Sequence, residues 1–109
     1  MNLIHKHCLP CEGEVPPLSK KEVREYRPHV PLWTVARTGK RIVRTFMFAD
    51  FKETMLFVRA VAKIAEREGH HPDIHVSYGK VRIELSTHAV GALSKNDFIL
   101  AAKIDRIVV

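Results

Sequence analysis

The sequence predicts an α+β two-layer sandwich with elements in the order α-β-β-α-β-β-α, a four-stranded, largely antiparallel sheet, and helices packed on one face. Three observations lead there. A long amphipathic segment runs from Asp50 to Gly69. Two strand–turn–strand segments, 32–48 and 74–86, flank it, each with a Gly-Lys turn. Two boxes of the form Ser-x-x-Glu or Ser-x-x-Asp, at Ser19 and Ser94, open further helices. Hairpins join neighbouring strands of opposite direction, so hairpins alternating with helices give an antiparallel sheet with its helices segregated.

Residues 1–18 read as an irregular arm. The stretch CLPCEGEVPPL holds three prolines and a glycine and has no period. The remainder, 19–109, reads as one domain, as expected at this length. Ser19 and Glu22 form a capping box, in which a serine oxygen and a glutamate satisfy each other's backbone N–H groups. A short helix follows over about 20–27, and Pro28 and Pro31 stop it. Leu32 to Ala36 is strand-like, Thr38-Gly39-Lys40 turns the chain, and Arg41 to Phe48 is a β-branched and aromatic strand. Asp50 and Glu53 cap the central helix. Its apolar positions Phe51, Met55, Val58, Ala62 and Ala65 recur at steps of three and four, with Leu56, Val61 and Ile64 widening the face, and Gly69 suits the C′ position. Core packing explains this stripe before any cofactor groove does. Pro72 breaks the chain, Ile74 to Tyr78 forms a strand, and Gly79-Lys80 turns it. Val81, Ile83 and Leu85 then alternate with Arg82, Glu84 and Ser86, as in a half-buried strand. The last helix follows the Ser94–Asp97 box, with Leu100, Ile104, Ile107 and Val108 on one side.

The formal charge is +6 and the pI about 9.6. Lysine and arginine are nevertheless spread from Lys6 to Arg106. The densest run, Arg37 to Arg44, falls on the first hairpin, where a solvated turn explains it before an anion patch does. No motif for nucleic-acid recognition is present, and a duplex binder would show steep salt dependence. No apolar run approaches the roughly 20 residues of a membrane span, and the first residues lack a signal-peptide core. A cytoplasmic protein with no membrane or nucleic-acid partner is expected.

Four of the seven histidines, His70, His71, His75 and His88, fall between residues 67 and 97. Metal binding is disfavoured. Consecutive side chains diverge by about 100° on a helix and point to opposite sides of a strand, so His70-His71 is poor ligand spacing. In the arm, Cys8-x-x-Cys11 with His5 and His7 offers thiols and imidazoles, but a lone pair of this kind is weak and lacks the βαβ context of redox use. Neither a metal nor a bound cofactor is expected. Acid–base chemistry fits better, because histidine exchanges protons near neutrality. His70 and His71 follow a helix end, and His88 follows the strand that the 74–86 hairpin folds back beside them. Three imidazoles are thus expected to converge at one sheet edge, with Asp97 orienting one of them. The bland alternatives are surface histidines at element ends and an aspartate that only caps Ser94. His75, inside a strand, belongs with those.

The pattern Glu66, His70-His71-Pro72, Tyr78, His88, Asp97 carries further meaning. So do Phe46-x-Phe48-x-Asp50-Phe51, Ser86-Thr87-His88 and Gly91-Ala-Leu-Ser94 around it. From about Leu18 to the end the chain resembles the pterin-4a-carbinolamine dehydratases. The resemblance implies a hydro-lyase that converts 4a-hydroxytetrahydropterin to quinonoid dihydropterin without metal or cofactor, recycling the pterin of aromatic amino acid hydroxylases. It assigns proton transfer to His70 and His88, with acid and base roles open, and pterin positioning to His71. Asp97, Trp33 and Tyr78 become substrate-binding or supporting residues, although a core tryptophan is the safer reading of Trp33. A homodimer or homotetramer is implied, with an aromatic amino acid hydroxylase as pathway partner. Two positions depart from animal members: Asn96 replaces an arginine and Val90 a cysteine. The resemblance also leaves room for a non-catalytic module, since the same fold serves a transcriptional coactivator and assembly chaperones.

Overall fold

The computed structural model describes residues 1–10 and 15–109. Its helices are α1 (Lys20–Tyr26), α2 (Phe51–Glu68) and α3 (Lys95–Ile104), and its strands β1 (Thr34–Val35), β2 (Ile42–Met47), β3 (Asp73–Ser77) and β4 (Lys80–Leu85). Single 3-10 turns lie at Leu3–His5, Arg27–His29 and His88–Val90. The expected order is present. Each start has its expected cap: Ser19 and Ser94 close reciprocal capping boxes, Asp50 accepts from the Glu53 N–H, and Gly69 ends α2 at φ 66°.

The four strands form one antiparallel sheet in the order β1-β2-β4-β3. Strand β4 is central and has the predicted alternation: Val81, Ile83 and Leu85 are buried, whereas Lys80 and Arg82 are exposed. Register places Ile42 opposite Leu85, Phe46 opposite Val81 and Ile74 opposite Ile83, so one face is apolar and meets the helices. Helix α3 is buried from Asn96 through Ala101.

Two expectations are corrected. The buried face of α2 is Thr54, Phe57, Val61, Ala65 and Glu68, rotated from the predicted stripe; Phe51 is 51% and Leu56 45% exposed, and Ala62 also faces out. Apolar residues cover so wide an arc of this helix that periodicity alone does not choose its centre. Phe57 does, by packing at ring-centroid distances of 4.5 Å from Phe46 and 5.0 Å from Phe48. Second, α3 stops at Ile104, and Val108 lies beyond it, almost fully exposed. Asp105 turns the chain there and is held by the Trp33 indole N–H (2.8 Å) and Arg44 (2.6 Å). Residues 1–10, part of the arm, hold a single 3-10 turn at Leu3–His5. Leu3 is buried in the core, and residues 7–9 are hydrogen-bonded to Glu68 and Asn96.

Candidate active site

The hairpin β3–β4 decides where the histidines lie. Asp73 pairs with Glu84 at its open end, so the residues entering β3 and leaving β4 are neighbours. His70 enters from the left-handed Gly69, and Thr87 and His88 leave on the other side.

His70 is 3% exposed, and its Nε2 lies 2.7 Å from Asp97 Oδ1. The other carboxylate oxygen, Oδ2, accepts from the Thr87 hydroxyl and from the Ser94 backbone N–H, both at 2.9 Å. Because the Thr87 proton goes to Asp97, the 2.7 Å contact between the Thr87 and Ser94 hydroxyls needs Ser94 as donor. Ser94 Oγ in turn accepts from the Asn96 N–H at 3.2 Å. Every hydrogen in this chain therefore has one direction. Two donors occupy Oδ2 and Oδ1 faces the imidazole, so the buried carboxylate is satisfied when His70 Nε2 carries the proton. The neutral ring is thus fixed in one tautomer, with its acceptor at Nδ1. One oxygen of Asp97 caps α3 and the other faces the imidazole.

The remaining predicted residues are less tightly held. His88 is exposed on its 3-10 turn and lines a cleft of about 170 Å³ with Lys40, Arg41, Ser86, Thr87, Gly91 and Ala92. It is joined to His70 through its neighbour Thr87 and then Asp97. His71 points to the surface, 3.3 Å from Glu66 Oε1, itself well exposed. Trp33 is a buried core residue, edge-on to Phe46. Tyr78 sits exposed on the β3–β4 turn, at the far end of the hairpin from His70. The structure thus brings together His70, Asp97 and Thr87, places His88 on the exposed turn that follows Thr87, leaves His71 on the surface, and keeps Trp33 and Tyr78 apart from that network. His75 lies 3.2 Å from Glu84 on the solvent face of the sheet.

Two residues escaped sequence reasoning. Thr87 is a link in the network, signalled only by its place before His88. Glu68 is buried at the end of α2 and binds Lys103 Nζ (2.6 Å), the Cys8 N–H (2.8 Å) and His7 Nδ1 (3.2 Å). Burial alone would raise the Glu68 carboxyl, but these donors outweigh it and hold it down at about 2. Asn96, noted for replacing an arginine, has its own partner: its amide bonds both backbone groups of Leu9. Among the described residues no group of three or more His, Cys, Asp or Glu side chains is arranged to hold a metal. The Cys8–Cys11 pair reaches outside the described residues at Cys11. No described helix is long and apolar enough to cross a membrane.

The fold, a four-stranded antiparallel sheet under helices, agrees with what comparison shows. Residues 16–107 match the family described as pterin 4 alpha carbinolamine dehydratase, and the chain belongs to it. A relative from Nitrosospira multiformis, named "Putative pterin-4-alpha-carbinolamine dehydratase", is 50% identical over 104 residues, covering 95% of this chain and 90% of its own. A relative of the same name from Methylococcus capsulatus is 42% identical over 106 residues, covering 97% and 93%. Among solved structures, a transcriptional coactivator/pterin dehydratase from Brucella melitensis superposes with TM-score 0.79 at 28% identity, over 83% of this chain and 96% of its own. A pterin dehydratase-like protein identified as a RuBisCO assembly factor in the alpha-carboxysome superposes with TM-score 0.59 at 26% identity, over 71% and 89%.

Proposed function

We propose that this protein dehydrates a 4a-hydroxytetrahydropterin to the quinonoid dihydropterin, with His70 and His88 as the proton-transfer pair. The observation that carries this reading is the 2.7 Å bond between buried His70 and Asp97, extended through Thr87 to the base of His88. The reaction needs two proton movements. One proton goes to the departing hydroxyl, so that the C4a–O bond breaks with release of water. Another leaves the ring nitrogen, whose electrons form the new C=N bond. Imidazoles suit both steps, each contributing about 10²–10⁴-fold. Asp97 fixes the His70 tautomer and offsets the charge of the ring when it takes a proton. His71 contributes to binding and positioning the pterin. No step requires a metal.

The pathway role is recycling of the pterin of an aromatic amino acid hydroxylase, in the cytoplasm, by a homodimer or homotetramer. The exposed Phe51 and Leu56 on α2 favour self-association. The same surface favours the second reading, a non-catalytic binding or assembly module of this fold. One experiment separates the two. Carbinolamine generated enzymically is followed spectroscopically as it dehydrates, with wild type, His70→Ala and His88→Ala. The proposal expects a fall of about 10²-fold or more in each variant. Equal rates with and without the imidazoles would remove the catalytic assignment and leave the module.

A further inference from the structure

The arm meets the site at two places. Glu68, the last residue of α2, lies two positions before His70, and Asn96 lies immediately before Asp97. Residues 7–9 grip both. His7 and the Cys8 N–H bind the Glu68 carboxylate at 3.2 and 2.8 Å. The Leu9 N–H donates to Asn96 Oδ1 at 2.9 Å, and Asn96 Nδ2 donates to the Leu9 carbonyl at 2.7 Å. The Cys8 thiol adds a 3.6 Å contact to the Asn96 carbonyl. Glu68 and Asn96 are buried, whereas the Leu9 side chain is exposed. This stretch is therefore fastened by polar contacts to two chosen residues rather than by burying Leu9.

We infer that residues 7–9 are a positioning clasp for the His70–Asp97 pair, with Glu68 and Asn96 as its anchor points. The pair spans two separate elements, the end of α2 and the start of α3, and its bond is only as good as their relative placement. Supporting groups hold a working constellation to within about 0.5 Å, and a shift near 1 Å costs about 10²-fold in rate. The clasp bridges both elements within two residues of the pair. An asparagine is the residue this needs at 96, because a carboxamide presents one donor and one acceptor to a peptide group. An arginine has no acceptor for the Leu9 N–H. Lys103, in the last turn of α3, also ties Glu68 to that helix. Asn96 and Glu68 are positioning residues and touch no substrate in this account.

The consequence for rate rests on the dehydratase reading; the consequence for geometry does not, and both are measured. The full chain is compared with Asn96→Ala, with Leu9→Ala, which keeps the backbone groups, and with Ile83→Val, a core variant of modest destabilisation. Exchange of the His70 ring proton facing Asp97 is followed by NMR, alongside kcat, KM and urea stability. The clasp predicts that Asn96→Ala exchanges this proton at least about tenfold faster and lowers kcat about tenfold, with KM within about twofold. Leu9→Ala and Ile83→Val leave exchange and kcat as in wild type. Glu68→Ala, which removes the other anchor's acceptor for the Cys8 N–H, gives the same exchange result and replaces Asn96→Ala if that variant does not fold. Wild-type exchange in the anchor variants would overturn the clasp, even if their stability fell. A wild type that turns nothing over would overturn the dehydratase reading alone, since the ring proton still reports on the clasp.

Discussion

Replacing Glu68 by glutamine tests the charge interaction between a buried carboxylate and Lys103. Glu68 is held at about 2, against an ordinary 4.5. The gap is worth on the order of 3 kcal/mol at about 1.4 kcal/mol per unit. Its sign follows from linkage. The folded carboxylate binds a proton less readily than the unfolded one, so the stabilisation is complete above pH 4.5 and is lost as pH falls through about 2. Glutamine keeps an acceptor for the Cys8 N–H but leaves the part-buried Lys103 ammonium facing a neutral amide. The expected loss at pH 7 is about 2–3 kcal/mol, a large share of the roughly 5–15 kcal/mol that holds a small domain. The gap between wild type and variant then narrows with acid, about 2 kcal/mol of it disappearing by pH 3. Urea unfolding of both proteins at pH 7, 5 and 3 measures this. A stability difference that stays constant across that range would refute the reasoning, because it would mean the charge is not what stabilises the fold.

Asp97→Asn preserves shape but puts an amide nitrogen where an oxygen was. Two donors face Oδ2 and one faces Oδ1, so the nitrogen turns to His70 and drives the ring proton to Nδ1. Turnover should fall by about 10²–10⁴, with the tautomer change visible in the imidazole nitrogen shifts. Gly79→Ala should cost about 1–3 kcal/mol, since φ is +68° and a Cβ would stand 2.9 Å from the Phe48 carbonyl oxygen. Gly39→Ala, at φ +74° with nothing within 4 Å of a Cβ, should cost only about 1 kcal/mol; chemical denaturation compares the two. Phe57→Ala should lose about 3–5 kcal/mol and Phe51→Ala less than about 1 kcal/mol in dilute monomer, which checks the face of α2 by the same measurement.

Element order was legible because local chemistry marks it. Ser19 with Glu22, Ser94 with Asp97, Asp50 and Gly69 are signals read within four residues, and each holds in the structure. The alternation of Val81, Ile83 and Leu85 needs no partner to be recognised. What stayed hidden depends on distant pairing. The centre of the α2 face is chosen by the aromatics of β2, not by the helix. The arm residues that bind Asn96 and Glu68 lie about 60 to 90 residues away, with no periodic pattern to announce them. Asp97 was visible as a cap and as a neighbour of histidine, and only three dimensions show that its two oxygens serve both tasks at once.

His70 and His88 differ in what their loss would do to the molecule. The ring of His70 is embedded in the core network, and no replacement keeps that network whole. The ring of His88 hangs on a surface turn, and exposed positions of this kind cost about 0.5 kcal/mol or less to change. On the dehydratase reading, the scaffold can therefore shed its chemistry through one substitution on a loop and still reach the same native state. An architecture built this way is open to new employment: a descendant that no longer turns over substrate inherits an intact body to use for something else.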